Sequence, residues 1–419
     1  MSKFVIEGGK SLKGEINISG MKNAATPILA ATLLSDKNFV IKNVPNIADV
    51  RTLIEIMLSL GVAVNFKNNV VKVSAGDISF NQLNKEKVEA MRSSILLLAP
   101  LLTRFKEVRI PQPGGCIIGS RPIDTHLYVF KKLGAKIEQK NEEYILKAKN
   151  LKGSTIILPE FSVTATENAI MAAVLAQGLT TIKMAAAEPH VQDLCNFLNK
   201  FGARIKGIGT HTLKIRGVER LKGGSYKIIP DQIEAGTFAV MAAATRSKLT
   251  IKQVVSEHLE SVVLKLKAAG VKLEEKKNYI KIKKSRSLKS FKVQTMPYPG
   301  FPTDLQAPFS VLATQCPGTS LIHDPLFENR MSHIKELMKM GANATICDPH
   351  RVLITGPTPL FGQFIKSPDL RAGATLIIAG LIAEGTTEID QAEIIDRGYE
   401  DIDRRLKDLG ADIKRINNE

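Results

Sequence analysis

Leu133-Gly134-Ala135-Lys136-Ile137 closes an apolar-periodic helix at a glycine and runs directly into a strand. A glycine just past a helix end takes the left-handed backbone region without the steric cost a Cβ would impose, so it both stops the helix and turns the chain. The same passage recurs as Leu60-Gly61-Val62-Ala63-Val64, Phe201-Gly202-Ala203-Arg204-Ile205, Ala269-Gly270-Val271-Lys272-Leu273, Met340-Gly341-Ala342-Asn343-Ala344 and Leu409-Gly410-Ala411-Asp412-Ile413. Successive glycines are 73, 68, 68, 71 and 69 residues apart. The chain is therefore six copies of one unit.

A second marker stands upstream of each glycine, where a helix rich in small residues gives way to a turn and an apolar strand, at 34–41, 102–110, 176–182, 244–251, 316–322 and 383–389. Each unit holds two helices and several strands. First helices such as 169–176 have no clearly polar face and belong in the interior, whereas second helices such as 50–60 are amphipathic and suit the outside. The expected class is α/β, with sheets wrapped around buried helices. Units of this length exceed a propeller blade or an ordinary solenoid repeat, so two lobes of three units each are expected. The boundary falls near Gly223-Gly224 to Pro230-Asp231. The strands at 4–6 and 14–18 precede the first unit and are expected to complete the other lobe. That gives one lobe at 22–229 and a second from 1–21 plus 230–419, with Gly20-Met21 and Ile229-Pro230 as linkers. A cleft between two lobes is the usual place for a substrate, and closing it expels water.

Composition narrows the function. The opening MSKFVIEGGK has no apolar targeting core and no run of eighteen apolar residues follows, so neither secretion nor membrane spanning is expected and a cytoplasmic protein is. Cys116, Cys195, Cys316 and Cys347 show no C-x-x-C spacing, which speaks against a zinc site or a disulfide framework, and Cys195 lies in an apolar helical pattern typical of core. A net charge of +17 favours anionic partners: nucleic acid, a membrane surface or phosphorylated metabolites. Stacking on nucleic acid would want aromatics among the basic residues, yet these are 5% of the chain and Trp is absent. Lys276-Lys277 and Lys283-Lys284 read as solvated hairpin ends.

One loop carries chemistry. Pro113-Gly114-Gly115-Cys116-Ile117-Ile118-Gly119-Ser120-Arg121-Pro122-Ile123-Asp124-Thr125-His126 contains three glycines and two prolines before Asp124, so Cys116 is expected on a loop that can approach a ligand closely. Arg121 would favour a thiolate or hold an anionic substrate beside it. A surface turn with an incidental cysteine satisfies the same residues. Asp304, after Phe301-Pro302-Thr303, reads equally as a reactive carboxylate or as a helix N-cap.

The motifs together resemble a known family. Lys22-Asn23-Ala24-Ala25, the PGGC loop, Thr164-Ala165-Thr166-Glu167-Asn168, Phe301-Pro302-Thr303-Asp304-Leu305-Gln306, Phe327-Glu328-Asn329-Arg330, Asp369-Leu370-Arg371-Ala372 and Asp396-Arg397-Gly398-Tyr399-Glu400 are similar, along the whole chain, to the UDP-N-acetylglucosamine 1-carboxyvinyltransferases, a family of enolpyruvyl transferases. The resemblance implies two inverted α/β lobes, helices inside and sheets outside, with the active site in the interlobe cleft. It implies transfer of the enolpyruvyl group of phosphoenolpyruvate to the 3′-hydroxyl of UDP-N-acetylglucosamine, the first committed step of peptidoglycan synthesis, by addition and elimination without metal or organic cofactor. Nucleic-acid and membrane partners are not implied.

By the same resemblance Cys116 is the general acid and Asp304 the base or orienting group. Lys22, Arg121 and Arg397 bind phosphoenolpyruvate, and Arg92 and Arg371 are further cations. Asn23 bonds substrate, and Arg121, Pro122, Ile123, Asp124 and Thr125 meet the uridine end. Ser162, Val163, Asp304 and Leu326 line the nucleotide pocket, while Glu188 and Glu234 have supporting roles. Met21 stands where a small residue is expected, and Glu160-Phe161 replaces a segment that carries a basic residue near the diphosphate in some members. The rivals are a sister transferase acting on shikimate 3-phosphate and a non-enzymatic nucleic-acid binder.

Overall fold

The structure, a computed structural model, describes residues 2–76, 78–79, 83–111, 114, 122–140, 143–285 and 287–417. All six marker glycines lie at positive φ: 82° at Gly61, 94° at Gly134, 107° at Gly202, 80° at Gly270, 101° at Gly341 and 95° at Gly410. The repeated helix stop is thus a backbone requirement met by the one residue without a Cβ.

Chain contacts divide the described residues into two compact units, 20–229 and 2–19 with 230–417. In the first, one sheet pairs Gly224–Lys227 in parallel with Asn38–Lys42 and continues through Val70–Ser74 to Ala63–Lys67. Another pairs Thr155–Ile157 in parallel with Leu179–Lys183 and continues through Thr212–Arg216 to Arg204–Lys206. A third joins Glu107–Pro111, Glu143–Lys147 and Lys136–Lys140, all antiparallel.

The second unit repeats the four-stranded plan three times. Lys13–Asn17 lies parallel to Lys248–Lys252, Lys292–Gln294 to Gly318–His323, and Phe364–Lys366 to Thr386–Asp390. Its last sheet is finished by Ser2–Glu7, which sits between Thr386–Asp390 and Asp412–Asn417 and is antiparallel to both. The early strands therefore serve the late unit, while Gly224–Lys227 serves the sheet built just after residue 37.

Two classes of helix follow from two hydrophobic patterns. Lys22–Thr32, Leu98–Phe105 and Val163–Val174 in one unit, and Gln232–Ala244, Gln306–Thr314 and Leu370–Ile382 in the other, are the apolar first helices; every residue of Gln232–Ala244 is buried. Ala48–Ser59, Asp124–Lys132 and Pro189–Lys200, then Glu260–Ala268, Ser332–Lys339 and Ile402–Asp408, bury one face and expose the other. An apolar stripe on one face is what lets a helix cover a core while staying in water. Among the described residues no helix is long and apolar enough to cross a membrane.

Candidate functional site

In each unit, several of the side chains singled out by sequence stand at the N-terminal ends of first helices, Lys22, Ser162 and Val163 in one and Arg371 in the other. An exposed helix N-terminus presents unpaired N–H groups and the positive end of the helix dipole, a natural seat for anions. In the unit 20–229, Lys22 opens the helix Lys22–Thr32, and its Nζ meets Asp49 Oδ2 at 2.8 Å. Asp49 is buried in the first turn of Ala48–Ser59, so the amine is held by an anchored carboxylate. Asn23 follows, half-buried. Met21, before the helix, is buried, and its N–H donates to the Ile229 carbonyl at 2.9 Å; the bulky residue is accommodated as core.

Arg92 begins the 3-10 turn Arg92–Leu97 that leads into Leu98–Phe105, and its Nη2 donates to the Pro122 carbonyl at 3.2 Å. Pro122 and Asp124 are exposed, while the Ile123 side chain belongs to the hydrophobic core. Thr125 is buried and donates its hydroxyl to Glu160 Oε1 at 2.8 Å, which gives the unexpected Glu160 a partner. Phe161 is half exposed, with its ring edge-on to His211 at 5.3 Å. Ser162 caps the helix Val163–Val174, its Oγ accepting from Ala165 N–H. Val163 is the half-buried first residue of that helix.

Beneath these residues runs a buried polar chain. Asn168 Oδ1 accepts from Ala99 N–H at 3.3 Å, and its Nδ2 donates to the Ile95 carbonyl at 3.0 Å and to His126 Nδ1 at 3.0 Å. With Nδ1 accepting, His126 carries its proton on Nε2 and donates to Thr164 Oγ1 at 3.1 Å. Three helix starts are thereby fixed to one another. Deeper still, burial pushes the Glu167 carboxyl well above the usual range, and nearby Glu188 adds to the rise. Burial also pushes Cys195 up to about 12, so this thiol is inert core.

In the unit 2–19 with 230–417, Asp304 lies in the 3-10 turn Thr303–Leu305 ahead of Gln306–Thr314. Its carboxylate is held by two guanidinium groups. Oδ1 is bound by Arg330 Nη2, and Oδ2 by Arg371 Nε at 3.0 Å. Arg371 sits in the first turn of Leu370–Ile382, whose N-cap Asp369 accepts from the N–H groups of Arg371 and Ala372. Burial opposes the Arg371 charge, but Asp304 prevails and its pKa is raised; the guanidinium also lies 5.3 Å above the Tyr399 ring. Arg397 is half-buried beside Asp396, which anchors that loop through a two-pronged pair with Arg415 at 2.8 and 2.6 Å. Leu326 is exposed, and its N–H donates to the buried Asp324 at 3.0 Å.

Glu234 binds Arg405, and its Oε2 accepts from Ser19 N–H at 2.7 Å. Arg405 Nη2 in turn donates to the Asn17 carbonyl at 2.8 Å. Through Ser19 and Arg405, Glu234 is tied to the end of the strand Lys13–Asn17. Cys116 and Arg121 lie outside the described residues. Sequence reading missed Asp49, Arg330 as the partner of Asp304, Asp324 and the His126–Asn168 pair. The only signal for Arg330 was its place in Phe327-Glu328-Asn329-Arg330.

The family model described as EPSP synthase (3-phosphoshikimate 1-carboxyvinyltransferase) matches residues 6–406. A UDP-N-acetylglucosamine 1-carboxyvinyltransferase of Halothermothrix orenii is 45% identical over 99% of this chain and 100% of its own length. One from Carboxydothermus hydrogenoformans is 46% identical over 100% of this chain and 99% of its own. The chain belongs to the UDP-N-acetylglucosamine 1-carboxyvinyltransferase family. Among solved structures, the family fold recurs in the enolpyruvyl transferase NikO from Streptomyces tendae, with TM-score 0.90 and 23% identity over 99% of this chain and 98% of that one. It recurs again in an Acinetobacter baumannii EPSP synthase, with TM-score 0.76 and 19% identity over the full length of both chains. Membership makes the chain a transferase, with the α/β fold of the enolpyruvyl transferases.

Proposed function

We propose that the chain transfers the enolpyruvyl group of phosphoenolpyruvate to the 3′-hydroxyl of UDP-N-acetylglucosamine and releases phosphate, in the cytoplasm, as a step of peptidoglycan synthesis. The observation that carries this reading is the near-complete, 42–46% identical match to relatives named for that reaction. The same reading divides the chain into lobes at 22–229 and at 1–21 plus 230–419.

The chemistry assigns each group a task. C3 of phosphoenolpyruvate takes a proton from the Cys116 thiol as the acceptor hydroxyl, oriented by Asp304, bonds to C2 and releases its own proton to water. The Cys116 thiolate then takes a proton back from C3 while the C2–O bond to phosphate breaks, leaving an enol ether, free phosphate and a regenerated thiol. A thiol of ordinary pKa near 8.5 keeps its proton at neutral pH and is a competent donor. Lys22, Arg121 and Arg397, with Arg92 and Arg371 around them, meet the phosphate and carboxylate; guanidinium forks suit both anions, and Lys22 adds a point charge. Asn23, Pro122, Ile123, Asp124, Thr125, Ser162, Val163 and Leu326 receive the UDP-sugar. Protonating Asp304 would weaken two ion pairs at once, which favours orienting the hydroxyl over storing its proton.

The test is phosphate release from phosphoenolpyruvate with each acceptor. Turnover with UDP-N-acetylglucosamine and none with shikimate 3-phosphate is expected. The family model's description makes the second acceptor the alternative, and the reverse result would establish it.

A further inference from the structure

Asp324 follows the strand Gly318–His323 and is fully buried. Its carboxylate is met by neutral donors. Oδ1 accepts from the Thr295 hydroxyl at 2.8 Å and from Leu326 N–H at 3.0 Å, and Oδ2 accepts from the Thr303 hydroxyl. The backbone of Asp324 is pinned as well: its N–H donates to the His350 carbonyl at 2.8 Å, and its carbonyl accepts from His350 Nδ1 at 2.7 Å. A carboxylate withdrawn from water is costly, and three neutral donors compensate it only in this one geometry. Filling space alone would not need it.

What the carboxylate ties together gives its role. Thr303 immediately precedes Asp304, and Leu326 is two residues beyond Asp324 on the other side. We infer that Asp324 is a positioning residue for the acceptor substrate: it locks the turn carrying Asp304 to the loop carrying Leu326, so that the group orienting the sugar hydroxyl and the group facing the nucleotide keep a fixed spacing. This rests on the transfer to UDP-N-acetylglucosamine proposed above. Misplacing a reactive group by about 1 Å costs on the order of 100-fold in rate, so the loss of one anchor of that turn is felt at the chemistry.

Steady-state phosphate release with both substrates varied tests it. Asp324→Asn keeps one acceptor oxygen and turns an NH2 toward Thr303; it should lower kcat by roughly 10- to 100-fold. The KM for the UDP-sugar should rise, and the KM for phosphoenolpyruvate should not move. Thr303→Val, which removes one donor and keeps the shape, should shift the same constants in the same direction, and Thr303→Ser should restore them. Unchanged kinetics in Asp324→Asn and Thr303→Val would overturn the assignment. So would a lower melting midpoint with kcat and both KM values intact, because a purely structural group behaves that way. Absence of phosphate release from the unaltered protein would instead overturn the proposed reaction, which separates the two failures.

Discussion

Asp304→Asn removes one negative charge from between two guanidinium groups while nearly preserving shape. The Arg371 and Arg330 side chains are only 4% and 7% exposed, and that of Asp304 is 19% exposed. Removing one partner of a buried ion pair typically costs about 3–5 kcal/mol, since the remaining charge is left without compensation. Two features reduce that figure here. Asparagine keeps one acceptor oxygen, and Asp369 Oδ1 lies 3.9 Å from Arg330 Nη1 as a second anion. A loss of about 2–3 kcal/mol is expected. The unit that carries the cluster has roughly 200 residues, for which each kcal/mol moves the melting midpoint by about 2–4 °C, so its transition should fall by about 4–12 °C. Scanning calorimetry at neutral pH reads that shift, and phosphate release on the folded variant reads the chemistry, where a loss of about 100-fold or more is expected. A variant that melts with the unaltered protein would refute the claim that Asp304 compensates two buried cations. One that melts lower but turns over at the normal rate would refute its part in catalysis.

Three further outcomes are expected. Cys116→Ser should cut turnover by about 100- to 10,000-fold without changing the circular dichroism spectrum, because a hydroxyl is a far weaker acid than a thiol; full activity would remove Cys116 from the acid role. At neutral pH a thiol reagent should titrate Cys116 and exposed Cys347 and spare Cys195 and Cys316, both buried and pushed up to about 12, whereas the denatured chain should give all four. Burial raises Asp193 to about 6 against the hydrogen bonds from Tyr226 and Ile229, so the folded protein binds a proton there that the unfolded chain has already lost. Stability contributed at this position is present at low pH and declines between about pH 4 and 6, by about 2–3 kcal/mol. Urea unfolding at both ends of that window should show Asp193→Asn gaining on the unaltered protein as pH rises, and a constant difference would refute the shift.

The fold was legible because its punctuation is local. A helix that must stop and reverse within a few residues needs a glycine, and the same glycine at Gly61, Gly134 and their four counterparts exposes the repeat without any knowledge of contacts. Burial of the first helices was equally readable, since a run such as Ala169-Ile170-Met171-Ala172-Ala173 has no polar face to offer water. The site was legible only one partner at a time. Asp304 was visible in its motif, but the carboxylate reads as a helix cap until Arg330 and Arg371, 26 and 67 residues away, are brought to it. Lys22 likewise gives no hint of Asp49, because an ion pair between the starts of two helices leaves no period in the sequence. Asp324 is the extreme case: in His323-Asp324-Pro325 it looks like an ordinary turn residue, and only its three donors reveal that it organises two loops.

The position of Ser2–Glu7 between Thr386–Asp390 and Asp412–Asn417 has a consequence for how the chain is made. This strand leaves the ribosome long before its partners, because both of its neighbours are encoded some 380 to 410 residues later. At about 5–20 residues per second, it waits on the order of 20–80 s for them. Throughout that interval a six-residue segment bearing Phe4, Val5 and Ile6 has two unsatisfied edges, while the region 20–229 can already have collapsed on its own. Nascent-chain chaperones, or transient pairing with the wrong edge, have a long opportunity at Ser2–Glu7.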